Sequence, residues 1–272
     1  MIDPIDAKFL ALAEAAAACP APRATHGECT ECGKTGELRP SGIRGLDSGS
    51  GGFCPQCAVR VHDEALGVRR GHALRVVRAV LPSRFRDADM ASVYPERRQE
   101  ALRRWVADAS GPWSLFLWGV PGTGKTYAAC AVLREWHLTK AAEWISEPTR
   151  QRFASSDPPA GPLFVSFRDL AAKARDFGPG RDEACRLVEA SIGARRLLVV
   201  DDLPADLATQ FTQDLAHRLV DHRYANRLPT VFTSNADPGT FHRTAPAIAS
   251  RLAAGTILDF AGLDRRLAAR EP

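Results

Sequence analysis

The chain has 272 residues, of which 45% are hydrophobic and 25% are charged, a balance typical of a protein with a substantial core. Its net charge of +4 is too small to demand a nucleic-acid partner, so the distribution of charge matters more than the sum. No apolar run approaches the roughly 18 residues of a membrane span, and the acidic N-terminus does not resemble a secretory signal, so we expect a cytoplasmic protein without a membrane partner.

The amino-acid composition changes twice within the N-terminal part of the chain. Residues 5–18 are rich in Ala and Leu and predict a helix, which Pro20 and Pro22 end. Residues 26–64 contain four cysteines and many glycines with little periodic apolar pattern, so this segment needs a cross-link or a metal to fold. The basic stretch of residues 67–86 fits a solvated linker helix and a phosphate-contacting surface equally well.

Four of the seven cysteines form two Cys-x₂-Cys pairs that are separated by 21 residues. They are Cys29, Cys32, Cys54 and Cys57. This spacing is close to that of structural zinc sites, in which four thiolates close a tetrahedron around the ion. A redox dithiol is the alternative, but two pairs favour a metal. His26 and His62 are alternative ligands for one position.

From residue 95 onward, helical patterns alternate with short apolar strands. The predicted helices are 95–109 with Pro95 at its first position, 125–137, 168–177, 181–192 and 206–226, and the predicted strands are 114–118, 163–166, 197–200, 230–233 and 257–258. The proline-containing residues 139–162 predict a loop. Continuous apolar strands separated by helices indicate an α/β fold with a parallel sheet covered on both faces.

A glycine-rich motif lies between the first of these strands and the helix that follows. It consists of Gly119, Val120, Pro121, Gly122, Thr123, Gly124, Lys125 and Thr126. The glycines allow backbone N–H groups to surround phosphate oxygens at a helix N-terminus. Lys125 is placed to reach the β- and γ-phosphates, and Thr126 to offer its hydroxyl to Mg²⁺. We therefore predict a site for ATP with Mg²⁺, and include Tyr127 in the nucleotide-binding set.

Two carboxylates follow the predicted strand 197–200. Asp201 is placed to hold Mg²⁺ together with Thr126, and Asp202 to orient or deprotonate the attacking water. Either acid alone also fits a helix cap. The strand 230–233 is expected to pair beside this one, which places Asn235 near the γ-phosphate or the attacking water. Asn after a strand is also common in turns.

Six motifs occur in order along this part of the chain. They are residues 85–89, the phosphate loop, residues 200–203, residues 223–230, residues 233–235 and residues 250–252. As a set they resemble the AAA+ ATPases of the DnaC/DnaI helicase-loader and IstB transposition-helper group, over about residues 83–267. The resemblance implies an AAA+ P-loop NTPase with a central parallel sheet flanked by helices and an absent or minimal lid domain.

The resemblance also implies roles for single residues. Asn235 resembles the sensor-1 residue, and Arg251 resembles the arginine finger that acts on the nucleotide of a neighbouring subunit. Arg265 or Arg266 resembles the sensor-2 position. Without the family, a solvated or salt-bridging surface residue is the favoured interpretation of each arginine. A finger that acts in trans implies a homo-oligomer on ATP binding, because its guanidinium stabilises charge that develops on the phosphate in the transition state.

The cysteine pairs bear on which member of this group the chain resembles. DnaI-type loaders have a similar N-terminal zinc module that docks on the helicase, whereas IstB-type proteins usually lack one. We therefore divide the chain into an N-terminal helix and zinc-ribbon-like module at residues 1–66, a basic linker at 67–94 and an AAA+ ATPase domain at 95–272.

Three functions fit these motifs. The first is an ATPase that loads a replicative helicase onto single-stranded DNA. The second is a transposition helper that binds duplex DNA and a transposase. The third is a slow ATP-switched protein adaptor. The zinc module favours the first.

Overall fold

The computed structural model of the chain describes residues 25–39, 52–108, 113–146, 162–175, 181–193 and 197–262. The chain divides into two compact units, one of Met1–Val76 with His137–Pro159 and one of Val77–Trp136 with Ala160–Pro272. The boundaries predicted at residues 66 and 94 stay a prediction. Within the described ranges, no helix is both long and apolar enough to cross a membrane.

The first unit contains a two-stranded antiparallel hairpin and the start of a long helix. Strand β1 (Thr25–Glu28) pairs with β2 (Thr35–Leu38), and helix α1 (Pro55–Val80) begins directly after Cys54. Cys29, Leu38 and Cys57 form its small buried cluster. Three residues bury too little apolar surface to hold this fold alone, which agrees with the need for a metal. The helical start of α1 at Pro55 was not predicted.

The second unit is built on a five-stranded parallel sheet. The remaining elements are α2 (Glu96–Ala107), β3 (Ser114–Trp118), α3 (Lys125–Ser146), β4 (Leu163–Ser166), α4 (Phe167–Ala174), α5 (Arg181–Gly193), β5 (Leu198–Asp201), α6 (Gln210–Ala225), β6 (Thr230–Ser234), α7 (Pro238–Thr244), α8 (Pro246–Ala253) and β7 (Thr256–Asp259). The strand order is β4-β5-β6-β3-β7. All five strands run parallel, which confirms the predicted α/β sheet.

The strands are buried on both faces, so alternate residues enter two apolar layers. Phe116 and Phe232 point into the layer that helices α4 to α8 cover. Leu117 and Val231 point into the opposite layer, which contains α2 and α3. Residues 77–93, which lie in the predicted linker, also add buried side chains to this second layer.

The structure corrects several predicted boundaries. Helix α6 begins at Gln210, four residues after its predicted start at 206. Helix α3 continues to Ser146, so its predicted end at 137 and the predicted loop start at 139 were wrong. Residues 138–146 hold no Gly or Pro and are rich in helix formers, so nothing stops the helix. Pro95 lies at the N-cap of α2 and not at its first helical position. The helix predicted over residues 5–18 lies outside the described part of the chain.

A buried arginine joins helices α5 and α6 to strand β6. Arg223 is fully buried, and its guanidinium donates to Thr230 Oγ1 at 2.6 Å, Pro229 O at 2.9 Å and Ser191 O at 3.0 Å. These acceptors lie on two segments, helix α5 and the start of strand β6. The bonds to them replace the water that the buried charge has lost.

Substituting Arg223→Leu should therefore destabilise the second unit by about 3 kcal/mol, since buried acceptors lose their donor. Urea unfolding followed by circular dichroism measures this. Arg218→Leu, at an exposed position on the same helix, is the matched control and should change stability by less than about 0.5 kcal/mol. Equal effects of the two substitutions would contradict the role of Arg223.

Candidate nucleotide and zinc sites

The phosphate loop connects β3 to α3, and its glycines have conformations that other residues rarely adopt. Gly119, Gly122 and Gly124 have φ angles of 149°, 80° and 97°. A Cβ atom on Gly119 would lie 2.7 Å from the carbonyl oxygen of Phe260, which leaves no room for a side chain. The loop therefore needs glycine both for its turn and for its close approach to the segment after β7.

Lys125 lies within this loop and is largely buried. Its ammonium donates to Gly119 O at 2.7 Å and to Val120 O at 2.8 Å. Thr123 Oγ1 also donates to Val120 O, at 2.9 Å. A cation enclosed by a glycine loop at a helix N-terminus is suited to phosphate oxygens.

Asp201 contacts two other segments at the carboxyl ends of the strands. Its Oδ1 accepts a hydrogen bond from Thr126 Oγ1 at 2.9 Å and one from Thr233 Oγ1 at 2.6 Å. Burial raises the pKa of the Asp201 carboxyl, and the two hydroxyl donors oppose that rise. A carboxylate beside a hydroxyl is the oxygen donor set that Mg²⁺ prefers, so Asp201 and Thr126 fit this ion.

The next carboxylate is held in a different way. Asp202 has a left-handed φ of 58°, and its backbone N–H donates to Thr233 Oγ1 at 2.9 Å. Its Oδ1 accepts from Asn235 Nδ2 at 2.8 Å. Strand β6 pairs with β5, as expected from the sequence, and this pairing brings Asn235 to Asp202. The amide therefore orients an exposed carboxylate at the edge of the sheet.

Thr233 was absent from the predicted site residues, although its single hydroxyl contacts both acids. It donates to Asp201 and accepts from the Asp202 N–H. The available signal was a threonine at the end of an apolar strand, directly before Ser234 and Asn235. That signal is weak because threonine is common in strands.

Tyr127 connects the first turn of α3 to the segment before α2. Its hydroxyl accepts from the Asp89 N–H at 3.1 Å, and its ring packs edge-on against Phe85 with centroids 6.4 Å apart. The predicted nucleotide-binding residue Tyr127 therefore contacts the motif of residues 85–89. These contacts give a packing role to Tyr127 next to the phosphate loop.

Arg251 lies at the other end of strand β3 from the phosphate loop. Its carbonyl accepts from Trp113 Nε1 at 3.3 Å, and Trp113 directly precedes the strand. The loop follows the strand's last residue, and five residues span about 17 Å. The structure therefore does not bring Arg251 to the loop of its own chain. Arg265 and Arg266 lie outside the described residues.

The four predicted zinc ligands converge in the first unit. The sulfur atoms of Cys29, Cys32, Cys54 and Cys57 all lie within 4.8 Å of one another. Cys32 Sγ and Cys54 Sγ are 3.8 Å apart, close to the roughly 3.8 Å between two thiolates of a tetrahedral zinc site with Zn–S bonds of about 2.3 Å. Among the described side chains, no histidine joins this cluster. The side chain of His62 is not described.

The pKa values of these thiols are also consistent with a bound cation. The Cys54 backbone N–H, 3.2 Å from Cys29 Sγ, lowers the pKa of the Cys29 thiol to about 6. A hydrogen bond with the Cys54 side chain raises the pKa of the Cys57 thiol to about 12. Four thiols this close cannot all ionise without a compensating positive charge. Bound Zn²⁺ would supply that charge and cross-link the hairpin to α1.

The fold is a P-loop α/β fold with a five-stranded parallel sheet and a four-cysteine cluster near the N-terminus, as the sequence predicted. Among solved structures the chain is similar to the DnaC helicase loader, at 19% identity and a TM-score of 0.51 over 65% of this chain and 99% of that one. It is also similar to DnaI, at 21% identity and a TM-score of 0.50 over 70% of this chain and 99% of that one. No family model and no curated protein matches the sequence. At these identities the likeness establishes the fold.

Metal analysis of the purified chain should find about one zinc per molecule. Substituting Cys54→Ser removes one of four thiolates and should release the metal, because a three-thiolate site is open to water. Cys130→Ser is the matched control, since Cys130 lies in the core of the other unit. Zinc retained by the Cys54 variant, or absent from the parent chain, would show that the cluster is not a zinc site.

Substituting Thr233→Val keeps the side-chain shape but removes the hydroxyl that contacts both acids. We expect hydrolysis of ATP to slow by about tenfold, with ATP affinity little changed, since the hydroxyl's bond to the Asp201 carboxylate and its bond from the Asp202 backbone N–H are both lost. Thr233→Ser keeps the hydroxyl and should stay near the parent rate. Steady-state kinetics and equilibrium titration with ATP measure these effects. A Val variant as fast as the Ser variant would exclude this role.

Proposed function

We propose that this chain is a replication-associated ATPase that hydrolyses ATP with Mg²⁺ and delivers a replicative helicase to single-stranded DNA. The observation that carries the proposal is the Asp201 carboxylate, which Thr126 of the phosphate loop and Thr233 of β6 approach at 2.9 and 2.6 Å. A glycine loop alone supports binding. The addition of an anchored metal-binding acid and an oriented second acid supports hydrolysis.

In the proposed reaction, the oxygen of a water molecule attacks the γ-phosphorus. The bond from that phosphorus to the β,γ-bridging oxygen breaks, ADP leaves with the electron pair, and the proton of the water passes to Asp202. Asn235 fixes the Asp202 carboxylate through its 2.8 Å hydrogen bond. Lys125 neutralises charge on the β- and γ-phosphates. Thr126 and Asp201 would hold Mg²⁺, which supplies further neutralisation of the phosphate charge.

Arg251 is proposed to act on the nucleotide of a neighbouring copy. This assignment is supported by its position at the opposite end of β3 from the loop of its own chain. A guanidinium supplied from a second subunit makes hydrolysis depend on assembly. We propose that Arg265 or Arg266 adds a further charge to the phosphates, as the family resemblance implies.

The zinc module is the feature that favours a helicase loader. The similarity to the DnaC helicase loader supports the same choice at the level of the fold. We propose that the four-cysteine module docks on the helicase while the ATPase unit binds single-stranded DNA and assembles with further copies. A transposition helper that binds duplex DNA and a transposase is the alternative.

Substituting Lys125→Ala should weaken ATP binding by about tenfold to 100-fold, because charge-assisted bonds to the phosphates are lost. Lys173→Ala, at an exposed position on α4, is the matched control and should bind like the parent chain. Fluorescence titration with an ATP analogue measures both. Unchanged affinity of the Lys125 variant would refute the nucleotide site.

The loader function has its own test. Purified chain, replicative helicase and circular single-stranded DNA are mixed with ATP, and helicase bound to the circle is counted. We expect loading by the parent chain and its loss with Asp202→Asn, which should bind ATP without hydrolysing it. Recovery of a transposase and no helicase from an ATP-containing pull-down, with no loading in the purified system, would favour the transposition helper.

A further inference from the structure

The guanidinium of Arg251 is held by an acid on a neighbouring helix. Arg251 lies on α8, and its Nε is 2.7 Å from Oδ1 of Asp221 on α6. That oxygen is buried, although 44% of the Asp221 side chain is exposed, and no hydrogen bond from the described residues reaches it, so its contact with Arg251 is an ion pair. A buried carboxylate oxygen is costly without a compensating charge, and here Arg251 supplies that charge.

Two further contacts restrict the same arginine. Its Nη1 donates to Ala247 O, one turn earlier on α8, at 2.8 Å. Its carbonyl is fixed by Trp113, whose ring packs edge-on against both Tyr224 and Phe232. Within the described part of the chain, no hydrogen-bond acceptor contacts Nη2, and about 30% of the side chain is exposed. The side chain is thus held from two sides, with one nitrogen left to contact another molecule.

We propose that Asp221 is a positioning residue that sets the Arg251 guanidinium for the nucleotide of a neighbouring copy. The proposal rests on the proposed trans role of Arg251. An arginine side chain has many rotamers, and one that must be ordered at each encounter stabilises the transition state less than one already in place. With Nε at Asp221 and Nη1 at Ala247 O, Nη2 is the nitrogen left for phosphate oxygens.

A surface ion pair with only a structural role predicts something different. Such a pair affects the stability of the chain that carries it, by a small amount. A positioning pair affects hydrolysis on the neighbouring chain, and it does so without changing ATP affinity there. Mixing two variant chains separates these outcomes. In such a mixture Asp221 can be substituted either in the chain that supplies Arg251 or in the chain that hydrolyses ATP, and only the first substitution should slow hydrolysis if Asp221 is a positioning residue.

The test mixes an Asp202→Asn chain, which binds ATP and keeps Arg251, with an Arg251→Ala chain, which keeps its own catalytic acids. Each alone should be nearly inactive, and the mixture should recover hydrolysis. Adding Asp221→Asn to the Asp202→Asn chain should lower kcat of the mixture by about tenfold with KM for ATP unchanged. Adding it to the Arg251→Ala chain should leave the mixture as it was. Asp221→Glu should restore part of the loss.

The control is Asp214→Asn, an exposed position on the same helix whose carboxylate contacts Gln210. It should have no effect in either chain. The positioning role is overturned if Asp221→Asn lowers kcat equally in either chain, or has no effect in the chain that supplies Arg251. In both cases, recovery of hydrolysis by the mixture still supports the trans role of Arg251. A mixture that recovers no hydrolysis overturns the trans role of Arg251 and this inference with it. The effect of Lys125→Ala on ATP affinity is measured independently and does not depend on this outcome.

Discussion

The buried carboxylate of Asp201 is the constraint around which the second unit is arranged. Burial opposes its charge, and the hydroxyls of Thr126 and Thr233 offset that cost. These groups come from the helix after β3, the end of β5 and the end of β6. They meet only because parallel strands in the order β5-β6-β3 present their carboxyl ends at one edge. The sheet order therefore decides which side chains share the site.

The same sheet separates the arginine from the site that it is proposed to complete. The phosphate loop lies at the carboxyl end of β3, and the Arg251 carbonyl is bonded to Trp113 at the amino end. One chain therefore presents a phosphate loop at one edge and an ordered guanidinium at the other. Copies arranged head to tail would bring these two edges together, which is the kind of contact that builds rings and helical filaments.

Local sequence was sufficient for the elements and motifs that depend on neighbours along the chain. The glycine loop, the apolar strands and the Cys-x₂-Cys pairs follow from backbone sterics, burial on both faces and ligand spacing. The contacts of Thr233 with Asp201, and of Asp221 with Arg251, were not predictable in this way. Both join residues that are 30 or more positions apart, so they depend on strand and helix packing. Helices α7 and α8 were missed because they have only seven and eight residues, too few to show a clear helical period of apolar side chains.

The most direct test of a site completed across a subunit boundary is the rate of ATP hydrolysis per chain, measured at saturating Mg²⁺ and ATP over a wide range of protein concentration. If Arg251 of one copy acts on the nucleotide of another, the rate per chain rises with concentration and reaches a plateau as the chain assembles. A rate per chain that stays constant from the monomeric to the assembled range would show that each chain hydrolyses ATP alone, and would contradict the composite site.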